Sequence, residues 1–191
     1  QGVTAHPMSS KGVLVNPILA AHDFMSMLDR TQTPECTAGT EGFVWVNGIS
    51  GGPSRCSVSL KIRDHNLEGY KAKKALIAAA VEYLKVRYPR AKFALSFEDV
   101  YGNIADAIKP ENSACVDLLR EAMAIEGVKP INLAMRGGTD GSFISTQGIP
   151  TPNYFTGAHN FHSSCEFMPM SSWVKSLGVT LRLVALTAEA K

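Results

Sequence analysis

Cys56-Ser57-Val58-Ser59-Leu60-Lys61-Ile62-Arg63 decides the fold of the first half of the chain, because apolar and polar residues alternate along it without a break. Successive side chains of a strand point to opposite faces, so Cys56, Val58, Leu60 and Ile62 line a buried face. Ser57, Ser59, Lys61 and Arg63 then line a wet one, with Arg63 at its far end. Downstream, residues 67–88 set Leu67, Tyr70, Leu76, Ile77, Ala80, Val81 and Leu84 against Lys71, Lys73, Lys74, Glu82 and Arg87, an amphipathic helix that Pro89 stops. Residues 91–100 alternate again, with Phe93, Leu95 and Phe97 on one face. Upstream, 43–49 is an apolar run between Gly42 and Gly48, followed by the turn signal Gly51-Gly52-Pro53. Residues 13–29 carry Val13, Ile18, Ala21, Met25 and Leu28 at helical spacing, while Asn16-Pro17 reads equally as the cap and first residue of a shorter helix. Helix, strand, strand, helix, strand is a split βαβ unit without its opening strand, so an exposed sheet edge or an unpaired helix is expected.

After Tyr101-Gly102-Asn103 the pattern changes. A helix from Ser113 to Glu126 brings Val116, Leu119 and Met123 into register and ends at Gly127. Short apolar strands are expected at 131–135 and near 153–155, separated by the loop Arg136-Gly137-Gly138-Thr139-Asp140-Gly141. A last helix from about Ser171 is expected to turn Trp173, Leu177, Leu181 and Val184 inward. This half reads as the end of an α/β domain whose earlier strands lie elsewhere. The boundary falls near residues 102–110, which divides the chain into 1–103 and 104–191.

With 45% apolar and 19% charged residues over 191 positions, the chain has material for one core or two small ones. A net charge of +2, with Lys and Arg dispersed, leaves no electrostatic footprint for nucleic acid. No apolar run approaches a bilayer span. Cys36, Cys56, Cys115 and Cys165 form neither a CxxC pair nor a disulfide scaffold, which fits reduced thiols in a cytoplasmic protein. The first residue is Gln1 rather than Met, and a motif begins within six residues, so a truncated or processed product is expected.

The five histidines stand at 6, 22, 65, 159 and 162, with no His-x-Asp or His-Glu-x-x-His cluster. A catalytic zinc takes three protein ligands, so these residues alone make an incomplete metal site. His162, after a strand and the turn Thr156-Gly157-Ala158, is the ligand candidate; residue type alone favours a hydrogen-bonded loop histidine, and His159 reads as structural. The 136–141 loop lacks both GxxxxGK[ST] and GxGxxG spacing, leaving a close backbone approach to substrate, with Arg136 as a planar fork for a carboxylate, or a plain turn. His6 precedes Pro7 and so lies in extended backbone. Asp64 and His65 are neighbours on a strand, face opposite ways and make no acid/base pair.

In order along the chain stand Thr4-Ala5-His6-Pro7, Lys11-Gly12-Val13, Glu41-Gly42-Phe43, Ile62-Arg63-Asp64, Arg136-Gly137-Gly138-Thr139-Asp140-Gly141, Pro150-Thr151-Pro152-Asn153 with Phe155-Thr156-Gly157, and Asn160-Phe161-His162. Together they resemble the C-terminal half of the peptidase T family, tripeptide aminopeptidases among the two-zinc aminopeptidases and carboxypeptidases. The resemblance implies a mixed α/β and α+β protein. A lid with a ferredoxin-like split βαβ sheet lacking its first strand would occupy 1–103, and the C-terminal part of a zinc-peptidase catalytic domain 104–191. It implies two zinc ions in the full-length enzyme, of whose ligands only His162 lies in this chain. It implies His6 as the lid histidine that stabilises the oxyanion, and Arg63, Arg136, Gly138 and Thr139 as substrate-binding residues, the arginines holding the carboxylate of a short peptide. The implied partners are that peptide, the missing N-terminal half and, through the lid, a second copy of the chain. The sequence departs from the family where His-Pro-Gly becomes His6-Pro7-Met8, and where Gly-Lys-His-Glu-Phe after the last ligand becomes Ser163-Ser164-Cys165-Glu166-Phe167. Two other readings stand beside the enzyme: a peptide-binding or dimerisation module without turnover, and a related metallo-carboxypeptidase or deacylase.

Overall fold

A computed structural model describes residues 1–189. The protein is a mixed α/β chain whose described residues form a two-stranded antiparallel sheet and six α-helices, divided into two compact units. The first unit comprises Gln1–Glu98 with Ala134–Arg136; the second comprises Asp99–Leu133 and the chain from Gly137 onward.

In the first unit, Asn16 caps helix α1 (Pro17–Ser26) by accepting from the Ile18 N–H at 2.9 Å, so the shorter of the two expected helices forms. Strands β1 (Phe43–Gly51) and β2 (Cys56–Arg63) pair from Phe43 opposite Arg63 to Gly51 opposite Cys56, with a bulge between Val46 and Gly48. Helix α2 (Leu67–Arg87) begins at the Asn66 cap, and its buried residues are Ile77, Val81 and Leu84. Phe24 of α1 joins these three, and Val44, Val58, Leu60 and Ile62 from the inner face of the hairpin pack against them. Leu67 and Leu76, expected inside, are exposed: the buried positions 77, 81 and 84 form one narrow stripe, and Leu76 lies a helical step to its side.

Residues 91–98 form no strand. Gln1 and Lys92 exchange both main-chain hydrogen bonds, at 2.7 and 3.0 Å, and Phe93 packs on the core, but beyond Lys92 no described segment supplies a ladder. An extended segment needs a hydrogen-bonded neighbour to become a strand. The same reason leaves the expected strands at 131–135 and 153–155 as irregular chain.

In the second unit, helix α3 (Ile104–Ala107) is capped by Asn103, and helix α4 (Ala114–Ile125) ends at Gly127, whose φ of 67° is the left-handed position a helix terminus favours. Helix α5 (Asp140–Thr146) occupies part of what the sequence presents as a glycine-rich loop. Helix α6 (Met170–Glu189) packs on α4 through Val179, which is 0% exposed and meets Leu119 and Ala122. Leu183 and Leu186 pack beside it. The stripe expected to face inward is outside: Trp173 is 49% exposed, and Leu177, Leu181 and Val184 are exposed too. Hydrophobic residues populate two stripes of α6, and α4 covers the other one.

Candidate functional site

Arg63 and Arg136 meet at the end of the sheet. Register places Arg63 opposite Phe43, both on the outer face of the hairpin. Arg63 Nη1 donates to the Arg136 main-chain oxygen at 2.9 Å, so Arg63 is half-buried rather than fully solvated. The Arg136 guanidinium lies 5.1 Å from the centroid of the buried Phe43 ring, a cation–π contact. Its Nη2 donates to the Pro34 carbonyl at 3.0 Å and its Nη1 to the Thr37 hydroxyl. Thr37 in turn donates to the Thr33 carbonyl at 2.7 Å, and Glu41 accepts from the Ala38 N–H at 2.7 Å, which folds the 33–41 loop into a support for Arg136. A guanidinium carries five N–H donors, so both arginines keep donors for an anion.

Asp64 fixes the strand end that carries Arg63. Its carboxylate meets Lys73 Nζ at 2.7 Å, with the two side chains only 8% and 12% exposed, and accepts from the Asn66 N–H at 2.9 Å. Burial pushes the Asp64 carboxyl up, but the Lys73 hydrogen bond, the Asn66 N–H and the nearby positive charges outweigh it and hold the group below the ordinary aspartate value. Gly42 and Gly69 leave the room this requires, since a Cβ on either would lie 2.1 or 2.5 Å from Asp64 Oδ2. Asp64 is therefore spent on Lys73 and not on His65.

His6 precedes a 3-10 turn, Pro7–Ser9, and its Nδ1 accepts the Met8 N–H at 3.2 Å. In the neutral ring that leaves the proton on Nε2, which is the donor. Met8 has an ordinary negative φ and a side chain in solvent, so replacing glycine there imposes no backbone strain and leaves the His6 turn intact. No hydrogen bond or ion pair joins His6 to either arginine among the described residues.

In the second unit, Gly138 packs its α-carbon against the Tyr101 ring and hydroxyl, leaving no space for a side chain. Thr139 starts α5: its carbonyl accepts from the Ser142 N–H at 2.9 Å and its hydroxyl from Asn153 Nδ2 at 3.0 Å. Gly141 brings the helix backbone against the Thr151 carbonyl, where a Cβ would come within 2.6 Å.

His162 sits in a closed loop. His159 and Phe167 exchange main-chain hydrogen bonds at 2.8 and 3.2 Å, and their rings stack with centroids 5.1 Å apart. Asn160 Nδ2 donates to the Cys165 carbonyl at 3.3 Å. Asn160 and His162 have φ of 54° and 65°, the positive values among described non-glycine residues, and left-handed backbone at such residues concentrates at functional sites. The His162 N–H donates to Glu166 Oε2 at 2.9 Å, while its imidazole is exposed and makes no hydrogen bond among the described residues. An unengaged imidazole of this kind fits one metal ligand. The other donors are not here: no group of three or more His, Cys, Asp or Glu side chains converges among the described residues.

Sequence reasoning missed Pro34, Thr37 and Phe43 as supports of Arg136, and Glu166 as the partner of His162. Their only signal was proximity, since Phe43 and Glu166 lie inside or next to the ordered phrases.

Residues 1–92 match the family model described as the peptidase dimerisation domain, which places the first unit among the domains of peptidases. Over 187 residues the chain is 48% identical to a Peptidase T-like protein of Yersinia pestis, covering 98% of this chain and 45% of that one. It is 38% identical over 188 residues to the Peptidase T of Clostridium perfringens, covering 98% and 46%. Over nearly its whole length the chain is thus similar to part of Peptidase T and Peptidase T-like proteins. Its fold matches the crystal structure of a tripeptidase from Staphylococcus aureus with a TM-score of 0.71 at 22% identity, covering 98% of this chain and 49% of that one. An aminopeptidase PepT from Bacillus cereus matches with a TM-score of 0.61 at 18% identity, covering 96% and 48%. The chain thus spans about half the length of the relatives it matches. No helix of the described residues is long and apolar enough to cross a membrane.

Proposed function

We propose that this chain is the C-terminal portion of a cytoplasmic, zinc-dependent tripeptide aminopeptidase, with the lid at 1–103 and the end of the catalytic domain at 104–191. The observation that carries this reading is the His162 loop, a strained, closed turn that presents an otherwise unengaged imidazole. Two zinc ions, when bound, supply a water activated for attack on the peptide carbonyl. His162 holds one position of that centre. His6, with Nδ1 occupied by the Met8 N–H, offers Nε2–H to the developing oxyanion. Arg63 and Arg136 bind the carboxylate of the peptide with the donors their other contacts leave free, and Gly138 and Thr139 bind substrate through the main chain of the loop that Tyr101 and Asn153 hold in place. A fixed carboxylate anchor makes substrate length a matter of distance, which favours tripeptides.

The same reading makes the isolated chain inactive, because its described residues offer no complete metal-binding set. The exposed stripe Trp173, Leu177, Leu181 and Val184, and the exposed Ile131, Leu133 and Met135, then await cover from the remainder of the protein. Homodimerisation through the lid accompanies catalysis, supported by the match of residues 1–92 and by the unpaired edges of the two-stranded sheet.

The test joins this chain to the upstream half of the Clostridium perfringens Peptidase T and assays release of the N-terminal residue from a tripeptide. Chelator-sensitive release is expected, with none from the chain alone. A completed protein that binds zinc and cleaves a blocked carboxypeptidase substrate instead would overturn the aminopeptidase reading in favour of its carboxypeptidase relative.

A further inference from the structure

We propose that Glu166 is a positioning residue, whose carboxylate holds the main chain of His162 in its left-handed conformation and so aims the imidazole. The inference rests on the reading of His162 as a metal ligand for its consequence, though not for its geometry. Non-glycine residues leave the left-handed region unless their surroundings hold them there. The other contacts that close the loop are His159 with Phe167, Asn160 Nδ2 with the Cys165 carbonyl at 3.3 Å, the Cys165 N–H with Ser163 Oγ at 3.0 Å, the Glu166 N–H with the Ser163 carbonyl at 3.2 Å, and the turn bond from the Ser163 N–H to the Asn160 carbonyl at 3.1 Å, which spans His162. None of them is made by an atom of His162 itself. Among the described residues, Glu166 is the hydrogen-bond partner of His162, through a charge-assisted bond of 2.9 Å from its N–H. Without that bond only the Ser163-to-Asn160 turn bond restrains φ of His162 at 65°, and any shift toward the negative region swings Cβ and the ring away from the direction the loop now gives them. The bond therefore does for His162 what outer partners do for metal-bound histidines, acting on the backbone instead of the second ring nitrogen.

The test compares Glu166→Ala, Glu166→Asp and Glu166→Gln in the completed two-half protein, reading amide hydrogen exchange at His162 and zinc affinity. Ala and Asp, which lose the reach, should speed exchange at His162 about tenfold and weaken zinc by about 10- to 100-fold. Gln, which keeps a carbonyl acceptor, should stay within about threefold of the parent on both readouts. Unchanged exchange at His162 in Glu166→Ala, or wild-type zinc affinity in a protein whose exchange has changed, would overturn the proposal. His162→Ala serves as the separate control: if it leaves zinc binding intact, the ligand reading fails, while the exchange data still judge the role of Glu166.

Discussion

Arg63 donates to the main-chain oxygen of Arg136 at 2.9 Å across 73 residues of sequence, so one arginine positions the backbone that carries the other. The pair is asymmetric. Arg136 is clamped by Pro34, Thr37 and the Phe43 ring, whereas among the described residues Arg63 is tied by one side-chain hydrogen bond.

On the proposal that Arg63 binds the peptide carboxylate, Arg63→Ala in the completed two-half protein is expected to raise KM for a tripeptide by about 10- to 100-fold, the range of a lost hydrogen bond to a charged group. Steady-state kinetics with the free and the C-terminally amidated tripeptide make the check. The amidated substrate, which offers no carboxylate, should lose little between parent and variant.

Lys73→Met leaves the Asp64 carboxylate without its cation and should cost about 2–3 kcal/mol, measured by urea unfolding at neutral pH. Because the folded-state pKa of Asp64 is depressed, the stability it brings is present above its unfolded value of about 3.9 and is lost as pH falls through the folded value. Stability of the parent should consequently fall more steeply below pH ~4 than that of Lys73→Met.

Ile77→Ala should destabilise the first unit by about 2–5 kcal/mol, since Ile77 is 1% exposed. Leu76→Ala, one residue earlier on an exposed face, should stay within about 0.5 kcal/mol. Denaturant melts of the two variants separate the buried stripe from the stripe that sequence spacing alone suggests.

The exposed stripe of α6 should drive the isolated chain to associate. Replacing Trp173, Leu177 and Leu181 together with Gln should reduce species larger than a dimer in sedimentation velocity without loss of helix by circular dichroism. Unchanged species larger than a dimer in the triple variant would place that contact elsewhere than α6.

The hairpin was legible in the sequence because its information is local. Alternation from Cys56 to Arg63 fixes both the strand and the face, and Asn16-Pro17, Asn66 and Gly127 mark helix ends by the chemistry of caps. Helix α5 was not legible, since Gly141, Ser142, Ser145 and Thr146 are weak helix formers and packing against the 151–153 segment holds them. The orientation of α6 was hidden because Trp173, Leu177 and Leu181 lie on one side and Val179, Leu183 and Leu186 on another, and periodicity cannot choose between two apolar stripes. The strands at 91–100, 131–135 and 153–155 depend on neighbours rather than on their own residues. The contacts of Arg136 with the 33–41 loop and of the His162 N–H with Glu166 join residues by the folding of loops, which carry no periodic signal in the sequence.

The most direct measurement is the zinc content, by plasma mass spectrometry, of the completed two-half protein with His162 intact and with His162→Ala. A dinuclear centre to which this chain adds one donor predicts two zinc ions per protein in the parent and a clear loss of one in the variant. Full occupancy without the His162 imidazole would contradict the account.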